Sequence, residues 1–161
     1  MDHVLGKADT AEGCLFEPAT SATSSKKYLM LHRDAMTIVL LNRFPYANGH
    51  LLVAPARHVD CLSALQPDEA YAVTTILQSC TTILKDHFAC SGINIGCNIG
   101  ESAGAGIADH LHFHLVPRWS GDHNFMTVLA DIRTIPQHIE ETFDQLLPRF
   151  KHLNQPLTYS R

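Results

Sequence analysis

The feature that most constrains this chain is a run at residues 110–116 in which histidines alternate with large apolar residues. Successive side chains of a β-strand point to opposite faces of the sheet, so the alternation predicts a strand. Its three imidazoles would share one face, and Leu111, Phe113 and Leu115 would point to the core. Burying three polar rings side by side is costly unless each ring finds a partner. The run therefore indicates a functional site.

The rest of the pattern predicts an α+β domain around this strand. With 161 residues the chain has room for one domain of ordinary size. Short β-branched or aliphatic runs at residues 36–41, 49–55 and 92–98 predict further strands. An apolar stripe that opens at Pro67 predicts the main helix, and a second helix is predicted near residues 137–147. We expect a mostly antiparallel sheet of about five strands with one main helix and a C-terminal helix.

Composition sets the domain boundaries and excludes some functions. Residues 1–27 are small and polar and predict an irregular arm, residues 28–150 form the domain, and residues 151–161 are a tail. A net charge of −4 argues against sequence-independent nucleic-acid binding. We expect no membrane span or export signal, because no apolar run is long enough. The 5 cysteines are scattered without a Cys-x-x-Cys pair, which favours a reducing cytoplasm.

A row of imidazoles suits two chemistries. Histidines two positions apart on a strand can begin a zinc site if further ligands converge on them. Alternatively, one neutral imidazole attacks phosphorus while its neighbours fix its tautomer and donate to phosphate oxygens. The glycine-rich segment at residues 98–106 favours the second chemistry, because small residues let backbone N–H groups approach an anion closely.

Three separated motifs carry a resemblance to a known family. The sequence resembles the histidine-triad superfamily of nucleotide hydrolases and transferases in HLHFHLVPRW, NRFPYANGH and GHLLVAPARHV. The stretch AGAGIADHLHFHLVPRWSGDHNFM is similar to the branch of diadenosine-polyphosphate phosphorylases and their hydrolase-like relatives. The resemblance covers residues 14–150 and implies the HIT fold, with covalent nucleotidyl transfer as the activity.

The resemblance implies roles for individual residues. His112 would be the nucleophile that attacks the α-phosphorus. His110 would hold its orientation, His114 would donate to a phosphate or leaving-group oxygen, and His50 would complete the hydrogen-bonded set. Nucleotide contacts are expected from Asn42 at the ribose position and from Asn98, Gly104, Gly106, Arg118 and Trp119. The last two are equally consistent with a surface arginine and a packing tryptophan.

The sequence departs from the family at its zinc motif. Several members bind structural zinc through Cys-x-x-Cys and two histidines, whereas here Cys14 is followed at the third position by Glu17. A zinc site of Cys14, Glu17, His58 and His110 is chemically open, because a carboxylate can replace a thiolate. We expect no required cofactor, a nucleotide substrate and a homodimer. Hydrolase and phosphorylase are not separated, and a metal-dependent enzyme and a non-catalytic nucleotide-binding module are the alternatives.

Overall fold

The computed structural model describes residues 13–122, 138–151 and 153. In chain order its strands and helices are β1 (Met30–Arg33), β2 (Thr37–Leu41), β3 (Leu51–Pro55), α1 (Pro67–Phe88), β4 (Gly92–Cys97), β5 (Phe113–Arg118) and α2 (Ile139–Phe150). Short 3-10 helices span Leu62–Ala64 and Glu101–Ala103. None of these helices is long and apolar enough to cross a membrane.

All five strands pair antiparallel in one sheet, in the order β1-β2-β3-β5-β4. The predicted α+β class and the predicted antiparallel sheet are confirmed. Strand β5 lies between β3 and β4, with His114 opposite Leu52 and Phe113 opposite Cys97. This order places the end of the histidine motif on an interior strand of the sheet, next to the edge strand β4.

The two faces of the sheet are covered differently. Helices α1 and α2 cover one face, where Leu51, Val53 and Leu115 pack against Leu84 and Phe143 in a single apolar cluster. On the other face the apolar cover comes from the N-terminal segment through a smaller cluster of Phe16, Met30, Ile38, Leu40, Leu52 and Ala54. Because His114 lies opposite Leu52 in the ladder, its side chain shares this second face, away from the helices.

Helix α1 begins where the sequence predicts. Pro67 occupies the first turn, and Gln66 and Glu69 form a capping box that satisfies N-terminal N–H groups. The carboxylate of Glu69 also accepts two hydrogen bonds from Arg57, from Nε at 2.7 Å and from Nη2 at 2.6 Å. This bidentate pair ties the chain after β3 to the start of the helix.

Other boundaries differ modestly from the predictions. The second helix runs over Ile139–Phe150, and Gln137 at the predicted start lies outside the described residues. Strand β1 was not located from the sequence, because four residues with a register shift carry too little periodicity.

Residues 1–12 and most of residues 151–161 also lie outside the described ranges. The described part of the arm packs on the domain, since Phe16 is only 1% exposed.

The prediction of one strand carrying all three histidines was wrong. Strand β5 starts at Phe113, so only His114 lies within it. Continuing the β3–β5 register would place Leu111 opposite Pro55, which has no N–H to donate. The Leu111 N–H instead donates to the Val59 carbonyl at 2.6 Å. The chain leaves the ladder at this point, and the ring of His110 lies with Cys14 and His58.

Candidate active site

Three imidazoles form a contiguous group on the sheet face opposite the helices. His50 precedes β3, His112 precedes β5, and His114 lies in β5. The ring centroids of His50 and His114 are 5.2 Å apart, and those of His112 and His114 are 5.0 Å apart. We call His50, His112 and His114 the histidine cluster.

Backbone groups fix the tautomers of His50 and His114. The Tyr46 N–H can only donate, so His50 Nδ1 accepts it, at 3.1 Å. A neutral His50 therefore carries its proton on Nε2, which donates to His114 Nδ1 at 3.0 Å. The proton of a neutral His114 is then on Nε2. The chain of bonds ends in an N–H that His114 can offer to a ligand.

The same reasoning fixes the tautomer of His112. The His110 carbonyl can only accept, so His112 Nδ1–H donates to it, at 2.8 Å. A neutral His112 then has a lone pair on Nε2, and this is the nitrogen that a nucleophilic imidazole requires. The sequence predicted that His110 orients His112, and the structure shows a main-chain carbonyl in position to do so.

The His112 ring is held on two sides by other rings, and the residue is only 4% exposed. Among the described residues, His112 bonds the His110 carbonyl and makes ring contacts with Phe16 and His114. The ring is therefore held by the protein through its Nδ1 side and its two faces.

Burial keeps these imidazoles neutral. Desolvation lowers the pKa of His50 to about 3, and the nearby His114 and His112 act in the same direction. Desolvation also lowers the pKa of His112 and of His114 below the usual value near 6.5. All three rings are neutral at pH 7, which is the state that the tautomers above assume.

A second cluster lies behind His112. The ligand atoms of Cys14, His58 and His110 lie within 4.8 Å of one another, and we call them the cysteine–histidine cluster. His110 Nε2–H donates to the Pro55 carbonyl at 2.9 Å, which leaves Nδ1 unprotonated and 3.2 Å from Cys14 Sγ. Glu17 Oε2 lies 3.3 Å from His58 Nδ1. Three of the four predicted ligands, Cys14, His58 and His110, are therefore brought together, and the fourth, Glu17, contacts His58 but lies outside that group.

The glycine-rich loop starts beside the histidine cluster. Cys97 pairs with Phe113, so the next residue, Asn98, lies alongside His112. The Asn98 amide donates to the Gly104 carbonyl at 3.2 Å and closes the loop. The N–H groups of residues 103, 104 and 105 already bond carbonyls within the loop. Phosphate binding by Asn98, Gly104 and Gly106 stays a prediction, with fewer free amides than the sequence suggested.

The other expected nucleotide contacts divide into two groups. Asn42 contacts the histidine cluster, because its Nδ2 donates to His50 Nδ1 at 3.3 Å and its Oδ1 accepts the Phe44 N–H at 3.0 Å. Arg118 and Trp119 are not brought to the cluster. Arg118 is the last residue of β5 and Trp119 follows it; Arg118 binds Asp122 at 2.6 Å, and Trp119 donates to the Phe88 carbonyl at 3.3 Å. These contacts agree with the alternative given for this pair, a surface arginine and a packing tryptophan.

Comparison with known proteins agrees with this geometry. A family model of the HIT domain matches residues 24–121, which is more than half of the chain. The chain belongs to the HIT domain family. This HIT domain is similar to a Mycobacterium smegmatis structure described as a Zn-bound histidine triad family protein, at 26% identity and a TM-score of 0.63. That match covers 78% of this chain and 86% of the other.

Two curated relatives have named activities. A Mycobacterium tuberculosis AP-4-A phosphorylase is 38% identical over 119 residues, which is 74% of this chain and 61% of the relative. A Schizosaccharomyces pombe bis(5'-nucleosyl)-tetraphosphatase (asymmetrical) is 31% identical over 93 residues, which is 58% of this chain and 50% of the relative. The matched part thus spans less than two thirds of each relative's length.

Two residues of this HIT domain that border the cluster were not found from the sequence. The Phe16 ring lies 4.9 Å from the His110 ring and 5.2 Å from the His112 ring, centroid to centroid. The Tyr46 ring lies 4.8 Å from His50 and 6.2 Å from His114. The NRFPYANGH motif contained Tyr46, but only the folded loop shows which way its ring points.

The neutral histidines make the stability of the HIT domain depend on pH. Between the folded pKa of His50, about 3, and the unfolded value of 6.5, the unfolded state binds more protons. The unfolding free energy should therefore fall as pH drops below about 6.5, by on the order of 2 kcal/mol for His50 alone between pH 7 and pH 5. Urea unfolding at pH 7, 6 and 5 measures this. An unfolding free energy that stays constant or rises on acidification contradicts the neutral assignment.

Proposed function

We propose that this chain is a nucleotidyl hydrolase or transferase that acts on dinucleoside polyphosphates or AMP derivatives through a covalent intermediate on His112. One observation carries the proposal. The Nδ1–H of His112 donates to the His110 carbonyl, which leaves the lone pair of a neutral His112 on Nε2, and the His114 ring lies beside it. The names of the two curated relatives, a phosphorylase and a tetraphosphatase, support the same substrate class.

The first chemical step fits these groups. A bond forms from His112 Nε2 to the α-phosphorus, and the bond from phosphorus to the bridging oxygen breaks. The electron pair of that bond leaves with the departing phosphate, which at neutral pH needs a hydrogen bond rather than a proton. His114 Nε2–H is placed to donate such a bond, and the His110 carbonyl faces the imidazolium that forms on His112.

In the second step an acceptor attacks phosphorus and the bond to His112 Nε2 breaks. Water as acceptor makes the enzyme a hydrolase, and inorganic phosphate makes it a phosphorylase. We propose that Asn98 and the backbone at Gly104 and Gly106 bind the phosphates of the nucleotide and that Asn42 binds its ribose. The position of Asn98 beside His112 supports the first assignment.

A substrate panel tests the proposed function. The purified protein is incubated with diadenosine polyphosphates and with adenosine phosphoramidate, each with and without inorganic phosphate. We expect turnover of at least one substrate, and a product ADP that appears only with phosphate would identify a phosphorylase. AMP binding without turnover of any substrate would contradict the proposal and favour a non-catalytic nucleotide-binding module.

We further propose that the cysteine–histidine cluster and Glu17 can hold a structural zinc ion. A tetrahedral zinc with ordinary Zn–N and Zn–S bonds places its ligand atoms about 3.5 Å apart. The 3.2 Å from Cys14 Sγ to His110 Nδ1 and the 3.3 Å from Glu17 to His58 fit that spacing. The Pro55 carbonyl also orients the His110 ring, as second-shell partners of zinc histidines do. Neither His112 nor His114 belongs to the set, so the ion would support the fold.

Zinc binding is tested by metal analysis and thermal unfolding. We expect about one zinc per chain and a melting temperature that falls by about 5 °C or more after chelation, as loss of a tightly bound ion requires. Cys14→Ser should lose both the zinc and the effect of chelation. Cys61→Ser is the matched control, because Cys61 is a half-buried cysteine outside the set. Unchanged melting after chelation contradicts a structural ion, and turnover that disappears without any change in melting would favour a metal-dependent enzyme.

We also propose that the chain forms a homodimer through the edge of its sheet. Strand β4 ends the sheet, and its Ile95 is 49% exposed. An unpaired edge strand offers N–H and C=O groups to a second strand. Sedimentation equilibrium should show a dimer, and Ile95→Lys should shift it toward the monomer. A wild-type chain that is monomeric at micromolar concentration contradicts the proposal.

A further inference from the structure

Tyr46 is an exposed aromatic residue in direct contact with two histidines. Its ring centroid lies 4.8 Å from that of His50, at 40° between planes, and 6.2 Å from that of His114, at 15°. Tyr46 is nevertheless 56% exposed. The ring therefore has one side against the His50–His114 pair and other parts facing solvent.

This ring explains how a loop histidine is fully buried. His50 lies outside strands and helices, yet its exposure is 0%. A hydrogen bond from His50 Nε2–H to His114 Nδ1 joins these two rings, and the Tyr46 ring contacts both of them. An aromatic ring across both imidazoles restricts their rotation and excludes water from the bond that joins them.

We propose that Tyr46 is a positioning residue, whose ring holds His50 and His114 in their hydrogen-bonded arrangement and shields that bond from water. The inference rests on the proposed function in one respect, because turnover depends on the ring only if His114 acts on the phosphate. The main-chain N–H of Tyr46 also fixes His50 Nδ1, but every residue except proline supplies that donor. Substituting the Tyr46 side chain therefore removes the contribution of the ring and keeps that of the main-chain N–H.

Neighbouring imidazoles add to the effect of burial: His114 and His112 lower the pKa of His50, and His112 lowers the pKa of His114. Loss of water contact is the largest cause of the lowered pKa of both rings. If the Tyr46 ring supplies part of this desolvation, removing it must raise both pKa values toward 6.5.

Two substitutions of Tyr46 test the ring, with a neighbouring aromatic as control. Tyr46→Ala removes the ring, and Tyr46→Phe keeps it. Phe44→Ala is the matched control, because Phe44 belongs to the same loop, is 77% exposed and makes no ring contact with the described histidines. Each protein is titrated by NMR through its imidazole ¹⁵N signals, and kcat and KM are measured from pH 5 to 8.

In Tyr46→Ala we expect the pKa of His50 and His114 to rise by about one unit and the acid limb of kcat to move to higher pH by a similar amount. At pH 7 kcat should fall about 10-fold, and KM should stay within about 2-fold of the wild-type value. This is the pattern expected when an interaction that stabilises the transition state is lost. Tyr46→Phe and Phe44→Ala should behave as wild type.

Three results would overturn the inference. One is an unchanged titration of His50 and His114 in Tyr46→Ala. Another is a Tyr46→Phe protein as impaired as Tyr46→Ala, because then the hydroxyl group and not the ring would matter. The third is an equal pKa rise in Phe44→Ala. If no substrate turns over in any of the proteins, the proposed function fails, while the NMR titration still decides whether the ring shields the pair.

Discussion

His112→Asn should lose turnover of any substrate that the wild-type chain uses, by about 10³-fold or more, because the attacking nitrogen is gone. Asparagine is the informative replacement. Its side-chain N–H can still donate to the His110 carbonyl, as His112 Nδ1–H does at 2.8 Å, but it offers no lone pair in place of Nε2. The melting temperature should therefore change little while kcat collapses. Steady-state kinetics and thermal unfolding of the same preparation measure both.

The control for this prediction is the same substitution at a histidine far from the cluster. His87 lies near the end of α1, where its ring packs edge-on against Phe88. His87→Asn should keep wild-type kcat and KM. Equal turnover by His112→Asn and the wild type would exclude His112 as the nucleophile.

Gly49→Ala should lower the free energy of unfolding by about 2–4 kcal/mol, from left-handed strain and overpacking together. Gly49 has φ +77°, a conformation that favours glycine. A Cβ added there would lie 2.4 Å from Cε2 of Phe88 and 2.9 Å from its Cζ, so the Phe88 ring would have to move out of its packed position. Urea unfolding gives the change. Because His50 is the next residue, catalytic activity should also fall.

Two further variants separate the strain from the clash. Gly96→Ala is the control, since Gly96 has no heavy atom within 4 Å of an added Cβ and no left-handed φ. It should cost less than about 0.5 kcal/mol, as ordinary surface substitutions do. Gly49→Ala combined with Phe88→Leu should be less unstable than the sum of the single variants, because the shorter side chain removes the clash. Strictly additive losses would mean that Phe88 does not restrict this turn.

Much of the fold follows from local sequence patterns. The alternation around His112 correctly placed Leu111 and Leu115 in the interior, at 1% and 0% exposure. The proline and the carboxylates at the start of α1 correctly marked where that helix begins. Such signals are local, because period and capping depend on neighbours along the chain. Strand β1 lacked them and was not located.

Parts of the site depend on contacts that local patterns do not contain. Strand β5 begins only at Phe113, beyond the point where its register would meet Pro55 on the neighbouring strand, and this pairing is known only from the structure. Likewise, the position of the Tyr46 ring depends on how a nine-residue motif folds back over His50. The sequence predicted four clustered histidines. The structure instead divides them between the histidine cluster and the cysteine–histidine cluster, and the His110 main chain joins the two.

The central claim is that His112 Nε2 forms a bond to phosphorus. Its most direct test is rapid mixing of the protein with excess diadenosine tetraphosphate, followed by an alkaline quench, which preserves a phosphorus–nitrogen bond, and by mass spectrometry of the chain and its peptides. We expect one adenylyl group per active chain, attached to His112, formed at least as fast as kcat and absent from His112→Asn. Turnover without any adduct, or an adduct on another residue, would contradict the claim.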